Sequence, residues 1–431
     1  MAGLDTSAFD AALKTVFGPR LVDELNSEVA LYTKYQKGDK EMWEGRDTVE
    51  WALRVGRNEG FAYGRERGPI AEAGHQSYVP FKVPLRFGWA RLNISGPVMK
   101  VSKTNKGSFK RALQSEYDGL RMDFLDDKNR ILFHDGRGVM AMVNGAGGGT
   151  TTLTVDNAGG MLGAATNGAR YLQVGQIIAI LNTTGTAVSS VRTITAIAAT
   201  GLTVTLDAAI SATDALENGL IVRCPNANVT SVADTAYNKE PMGALGHNDD
   251  GTFVNNYFNV NRTAYPVLKS NVFTAVGALN LDTMQQGFDV AAQIGRGSPT
   301  EIWCHHSVRR AYLALLTANR RYLSTGGANT HDGGFKGAAL STDIEFSGIP
   351  IKVDKDAPYG IMLGMDWDGA TAWENTPGEW IDEDGAILAR VPGQDAFEAV
   401  WRCYDNFSHD QPNKCFRLDG INSNIVVAHI I

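Results

Sequence analysis

The chain has 431 residues, 43% hydrophobic and 20% charged, with a formal net charge of −7. That length allows two or three domains with a substantial core, and no apolar run approaches the roughly 18 residues a membrane span needs. The acidic balance argues against a dedicated sequence-reading nucleic-acid binder, and Cys224, Cys304, Cys403 and Cys415, none in a CxxC pair, read as buried free thiols of a reducing compartment. The opening Met1-Ala2-Gly3-Leu4-Asp5 has neither the basic head nor the apolar core of a secretory signal.

Phe9, Leu13, Val16 and Phe17 recur at helical spacing before Gly18-Pro19, and Leu21, Leu25, Val29 and Tyr32 form a second stripe. Thr48 to Phe61, with Val49, Leu53 and Val55, predicts a third short helix. Three short amphipathic helices on a flexible lead read as an arm, residues 1–73.

Between Glu72 and Glu116 the chain has no acidic residue, yet it carries Lys82, Arg86, Arg91, Lys100, Lys103, Lys106, Lys110 and Arg111. Phe81, Val83, Leu85 and Phe87 alternate with Lys82, Pro84, Arg86 and Gly88, so a strand here has one apolar and one cationic face. Pro80 and Pro84 place that strand at an edge or outside any sheet. A strand pair is expected within 74–105, lying on another copy of the chain. The interleaved aromatics also fit a single-strand nucleic-acid binder. Against that, the alternating apolar face reads as packing, and a carboxylate-bearing protein partner is favoured.

Ser108 is a natural N-cap for a long helix, in which Phe109, Leu113, Tyr117, Leu120, Phe124 and Ile131 make one stripe to Phe133. The run Gly145 to Gly149 reads as a linker, and no lysine occurs from Asn129 to Asn238. Between them, short Thr/Val/Ile strands such as Leu202 to Leu206 predict a small all-β barrel or sandwich at 146–223. Further on, helices are predicted at Val267 to Leu279, Asp282 to Ile294 and Ser307 to Tyr322. Strands are predicted at Thr300 to Cys304, Ala396 to Tyr404, Cys415 to Leu418 and Ile425 to Val427. Ile344 to Phe346 and Ile349 to Asp354 read as a hairpin about Ser347-Gly348.

Catalytic signatures are missing: no GxSxG, no GxxxxGK[ST], no HExxH. The Gly-rich run 326–334 lacks the strand and helix of a phosphate cradle and reads as a surface loop. His305-His306 beside Cys304 are metal-ligating types, but successive residues at a strand end diverge, and a site needs three or four convergent ligands. Asp366-Trp367-Asp368 and Asp382-Glu383-Asp384 read as solvated turns. No catalytic, metal or cofactor-binding residue is assigned, and the chain is not expected to be an enzyme.

In their order, these elements resemble the major capsid proteins of tailed phages, the Hong Kong ninety-seven-type coat fold shared with encapsulin shells. The turn Gly136-Arg137-Gly138-Val139-Met140 resembles the segment leaving the spine helix of that family, and Glu345-Phe346-Ser347-Gly348-Ile349-Pro350-Ile351 resembles its F-x-G-x-P-I hairpin. The resemblance implies an α+β fold with an N-terminal arm at 1–73, an extended loop at 74–105, and the spine helix with the start of the peripheral domain at 106–145. An inserted β domain follows at 146–223, a peripheral connection at 224–265, an axial domain at 266–365, and a return to the peripheral domain at 366–431.

It further implies a coat subunit that forms pentamers and hexamers of an icosahedral head around double-stranded DNA, without reading its sequence. Scaffolding, portal and decoration proteins are partners of such shells, which are built in the host cytoplasm and involve no membrane. Intersubunit contacts then fall on Phe81, Lys82, Val83, Leu85, Arg86, Phe87, Arg91, Lys100 and Lys103, and flexing on Gly74, Gly88, Gly96 and Gly119. Some members carry lysine–asparagine cross-links between subunits; no asparagine and glutamate here match that motif, so none is expected. The alternatives are an encapsulin-like compartment shell and a soluble glycan-binding protein or enzyme.

Overall fold

The computed structural model describes residues 31–38, 47–98, 106–145, 148–161, 167–210, 217–318, 344–382 and 387–422. The helices expected before Tyr32, Lys100, Lys103, the Gly-rich run 326–334 and the strand from Ile425 lie outside them.

β1 (Gln36–Lys37) is a two-residue edge strand. β2 (Thr48–Gly56) and β3 (Ser77–Pro84) then pair antiparallel, Thr48 opposite Pro84 and Arg54 opposite Tyr78. β2 corrects the helix expected from Thr48 to Phe61. Val49, Trp51, Leu53 and Val55 alternate with Glu50, Ala52 and Arg54, so including Trp51 turns an apparent four-residue spacing into a period of two. β4 (Arg86–Ser95) follows after one residue but joins a different sheet. The strand pair expected within 74–105 is therefore a correction too: the hairpin is 48–84, and the acid-free stretch is shared between two sheets. α1 (Lys106–Phe133) covers 28 residues, about 42 Å at ~1.5 Å per residue, unbroken through Gly119.

β5 (Val139–Val143), β6 (Thr152–Asp156), β7 (Ile177–Leu181), β8 (Val188–Ile197), β9 (Thr203–Leu206) and β10 (Leu220–Arg223) close a barrel of order β10-β5-β6-β9-β8-β7. The barrel begins one strand earlier than the expected 146. All of β5 is buried, with Met140, Ala141 and Val143 in one cluster beside Leu153, Ile178 and Ile194. Val139 and Met142 join a second, with Leu181 and Val222. The Gly145 run thus falls between two barrel strands, β5 and β6, where composition alone marks a boundary.

After α2 (Ala244–His247) and the small pair β11 (Asn256–Tyr257) and β12 (Val260–Asn261) come β13 (Asn271–Phe273), α3 (Leu281–Gly295), β14 (Glu301–Cys304), α4 (His306–Ala318), β15 (Ile344–Phe346), β16 (Ile349–Val353) and β17 (Met362–Met365). The chain ends with β18 (Ala370–Trp380), β19 (Ala389–Arg390), β20 (Ala396–His409) and β21 (Phe416–Leu418). One sheet runs β13-β21-β17-β14-β16-β15. Met284 and Phe288 of α3 and Val308 and Tyr312 of α4 pack on its Ile302, Ile351, Met362 and Phe416. The Asn280 side chain caps α3 by accepting from the Thr283 N–H at 2.6 Å.

The helix expected at Val267 to Leu279 is instead β13 and a loop. Ala275 and Gly277 have φ of 54° and 68°, which no α-helix contains, and β13 pairs parallel with β21. The β15–β16 hairpin turns at Ser347 and Gly348 as foreseen, both with positive φ, as a two-residue hairpin turn requires.

β20 is the long strand of the second sheet. It pairs antiparallel with β18, with β19, and over ten residue pairs with β4, while β1 runs parallel to β18. α1 lies across one face, its Phe124 and Tyr117 edge-on to Trp401 and Trp380 at 6.1 and 4.7 Å.

Two buried polar nodes lock these parts together. Asp249, fully buried, accepts from Arg417 Nη1 at 3.1 Å and from the N–H groups of Gly251, Phe253 and Val254 at 2.9–3.1 Å. Arg262, equally buried, lies 3.6 Å from the same carboxylate and donates to the carbonyls of Gly246, His247, Val254 and Leu268. The node ties the 249–268 segment to β21.

His134 closes the C-terminal end of α1. Its ring meets Tyr171 of the barrel edge-on at 5.1 Å, and a Cβ on Gly159 would come within 2.2 Å of it. Neither ring nitrogen has a hydrogen-bond partner among the described residues. Burial first, then the charges of Arg130, Arg170 and Arg137, hold its pKa well below the ordinary value.

The unfolded chain therefore binds a proton here that the folded chain refuses. The neutral ring's contribution is complete above pH ~6.5 and is lost as pH falls. Relative to His134→Gln, the stability of the native chain should fall by up to about 1.4 kcal/mol per pH unit below that point. Urea midpoints of both proteins at pH 7.5 and 5.5 measure it; a constant gap would contradict the burial of a neutral ring.

Candidate assembly surface

The β2–β3 hairpin is anchored at one end and bare at the other. At its base, Val49, Phe81 and Val83 are buried in the same chain with Tyr257, Val260, Leu268 and Trp373, and Leu85 packs against them. Phe81 stacks obliquely on Trp51 at 4.9 Å and meets Phe258 edge-on at 5.4 Å. Asn259 Oδ1 accepts from the Lys82 N–H, and its amide donates to the Pro80 carbonyl. Of the strip from Phe81 to Phe87 expected between subunits, Phe81 and Val83 instead serve the subunit's own core.

Two of the cations are likewise answered within the chain. Lys82 lies 3.2 Å from Glu50, its cross-strand neighbour on β2. Arg91 pairs with Glu398 on β20 of the same chain, with more than half of its side chain still exposed. Arg86 is half-buried opposite Asp405, its Nε without a hydrogen-bond partner among the described residues, and burial lowers its pKa. Phe87 and Trp89 do stay exposed. They stack at 6.0 Å on the sheet face opposite α1, with Tyr404 edge-on to Phe87.

Three of the expected flex points are held by local contacts. Gly88 sits in the β4 ladder opposite Cys403, and Gly96 donates its N–H to the Asp395 carbonyl at 2.7 Å. A Cβ on Gly74 would lie 2.3 Å from Asn58 Oδ1, so glycine is needed there for close approach. Gly119 has open space around it.

Beyond the anchored base, residues 57–76 form a long tip without regular structure. Asn58 cinches its neck, donating to the Gly74 carbonyl and accepting from the Gly60 N–H. Past that neck Phe61 is 71% exposed, Tyr63 94% and Ile70 95%, with Tyr78 also exposed on β3. Phe61 and Tyr63 touch only edge-on, 5.2 Å apart. Large apolar side chains held this far into water make the tip the chain's candidate for a contact surface. Sequence reasoning missed these residues because they lie among glycines and charges with no period of two or 3.6.

The other candidates are local structure. His305 Nδ1 bonds the Ser307 hydroxyl at the start of α4, and the Asp366 carboxylate accepts from the Asp368 N–H of its own turn. A shallow depression of 370 Å³ lined by Glu50, Trp51, Ala52, Tyr78, Val79 and Pro80 lies on the hairpin itself.

Among solved structures, the chain is similar to one from the Cyanophage A-1(L) capsid, at 11% identity and a TM-score of 0.56, covering 97% of this chain and 98% of that one. The chain has the phage capsid fold. Chains from the capsid of an empty GTA particle (8% identity, TM-score 0.49, 97% and 98% covered) and from the SrpI encapsulin complex of Synechococcus elongatus PCC 7942 (9%, 0.44, 99% and 98%) also align, at scores too low to add to this. No protein-family model and no curated protein sequence matches the chain.

Proposed function

We propose that the chain is the major capsid protein of a tailed phage, a structural subunit that assembles through pentamers and hexamers into an icosahedral head around double-stranded DNA. The observation that carries this reading is a capsid fold whose anchored hairpin holds Phe61, Tyr63 and Ile70 out of the subunit. A neighbouring copy covers that tip, and the contact repeats at every subunit of a closed symmetric shell, so modest contacts sum to a stable particle. The β5–β10 barrel is an inserted domain, free to decorate the particle or to steady a capsomer. Scaffolding, portal and decoration proteins are its further partners, and the virion its location after assembly in the host cytoplasm.

The test separates a phage head from a compartment shell of the same fold. Particles purified from their natural source should protect double-stranded DNA from nuclease; particles filled with a protein cargo and free of DNA would overturn the reading.

A further inference from the structure

α1 aims Lys128 into the sheet, where no water-facing role is open to it. Lys128 is 7% exposed, Asp405 2% and Glu374 7%. The Lys128 Nζ contacts the Asp405 carboxylate, lies 3.5 Å from Cys403 Sγ, and sits 5.1 Å from the centre of the Phe407 ring. Cys403 Sγ is 3.1 Å from Asp405 Oδ2. Glu374 stands opposite Asp405 in the β18–β20 ladder, which sets their side chains side by side, and it accepts from the Tyr32 hydroxyl. A lysine, two carboxylates and a thiol are thus buried together beside α1, with the part-buried Tyr32 phenol on Glu374.

Burial acts on this group in one direction. It lowers the Lys128 pKa, with partial compensation from Cys403 and Glu374. A buried ion pair gains little over a neutral one, so proton transfer from ammonium to carboxylate is inexpensive there. What results is a neutral amine in contact with an oxygen of a carboxylic acid, one bond from the carbon it would attack, so fixed proximity replaces a bimolecular encounter.

We propose that Lys128 and Asp405 are joined by an intramolecular isopeptide bond, with Glu374 carrying the proton. Lys128 gives a proton to Asp405, leaving a neutral amine and a neutral acid. The Nζ lone pair attacks Asp405 Cγ and forms the N–C bond. Glu374 takes a proton from Nζ and returns it to the departing Asp405 hydroxyl, so the C–O bond breaks and one water leaves. No oxidant or cofactor is required, and no electrons change hands. The bond fastens the long helix to the long strand within one subunit, so it yields no ladder of joined chains.

The test is the mass of the full chain under denaturing conditions, followed by peptide mapping. The native chain should be lighter than its sequence by one water, with the Lys128 and Asp405 peptides recovered as one branched species. Lys128→Arg and Asp405→Ala should each restore the full mass. Glu374→Gln should do so largely, with an unchanged circular dichroism spectrum. Because the reading is made on denatured chains, a variant that folds poorly still reports. A native chain at full mass with two separate peptides overturns the bond. A Glu374→Gln chain that still loses the water overturns the role given to Glu374.

Discussion

Replacing Asp249 by alanine should cost about 3–5 kcal/mol, the expense of leaving buried charge without its partner. Two guanidinium groups, Arg262 and Arg417, share that carboxylate in a place water does not reach, and three backbone N–H groups also lose their acceptor. Domains of this kind are stable by only about 5–15 kcal/mol, so the loss takes a large part of the total. The expected result is a chain that is largely insoluble, or one whose urea midpoint falls far below that of the native subunit. A midpoint within about 1 kcal/mol of native would mean that the node contributes no more than a typical single hydrogen bond.

Serine at Phe61, Tyr63 and Ile70 together should have the opposite profile. These side chains make no core, so the subunit should keep its fold and its urea midpoint. Assembly should suffer heavily, because each large apolar side chain buried in a contact is worth about 1.5–3 kcal/mol. Three of them lost from every contact correspond to a weakening of the association constant by roughly 10³ or more. Light scattering during assembly reads the effect directly; unchanged assembly at the same concentration would remove the tip from the interface.

Different parts of this fold were legible for different physical reasons. The Ser347-Gly348 turn was readable because a two-residue hairpin needs positive φ, and the residues that tolerate it are few. α1 was readable because its apolar stripe persists over seven turns. Barrel strands β6 and β9 alternate on their own, as Leu153 does between Thr152 and Thr154 and Val204 between Thr203 and Thr205. The hairpin was misplaced because the pairing of β2 with β3 spans a long irregular tip, and because Val49 and Leu53 without Trp51 mimic a helix. β4 pairs with β20 from the far end of the chain, a partner that no local pattern specifies.

The candidate site was legible in part. The acid-free stretch drew attention to the right neighbourhood, yet two of its charges, Lys82 and Arg91, find Glu50 and Glu398 inside the subunit. Charge balance along a sequence does not say which carboxylates lie across the sheet. The exposed tip carried no signal of its own until the anchored base showed how far it projects.

The central claim, that this subunit is built to form a closed shell, is tested most directly by sedimentation velocity of the purified chain, with electron microscopy of the sedimenting peak. The account predicts a discrete fast boundary of hollow polyhedral particles, which the Phe61, Tyr63 and Ile70 triple serine variant loses while remaining folded. A native chain that sediments as a folded monomer under every assembly condition would contradict it.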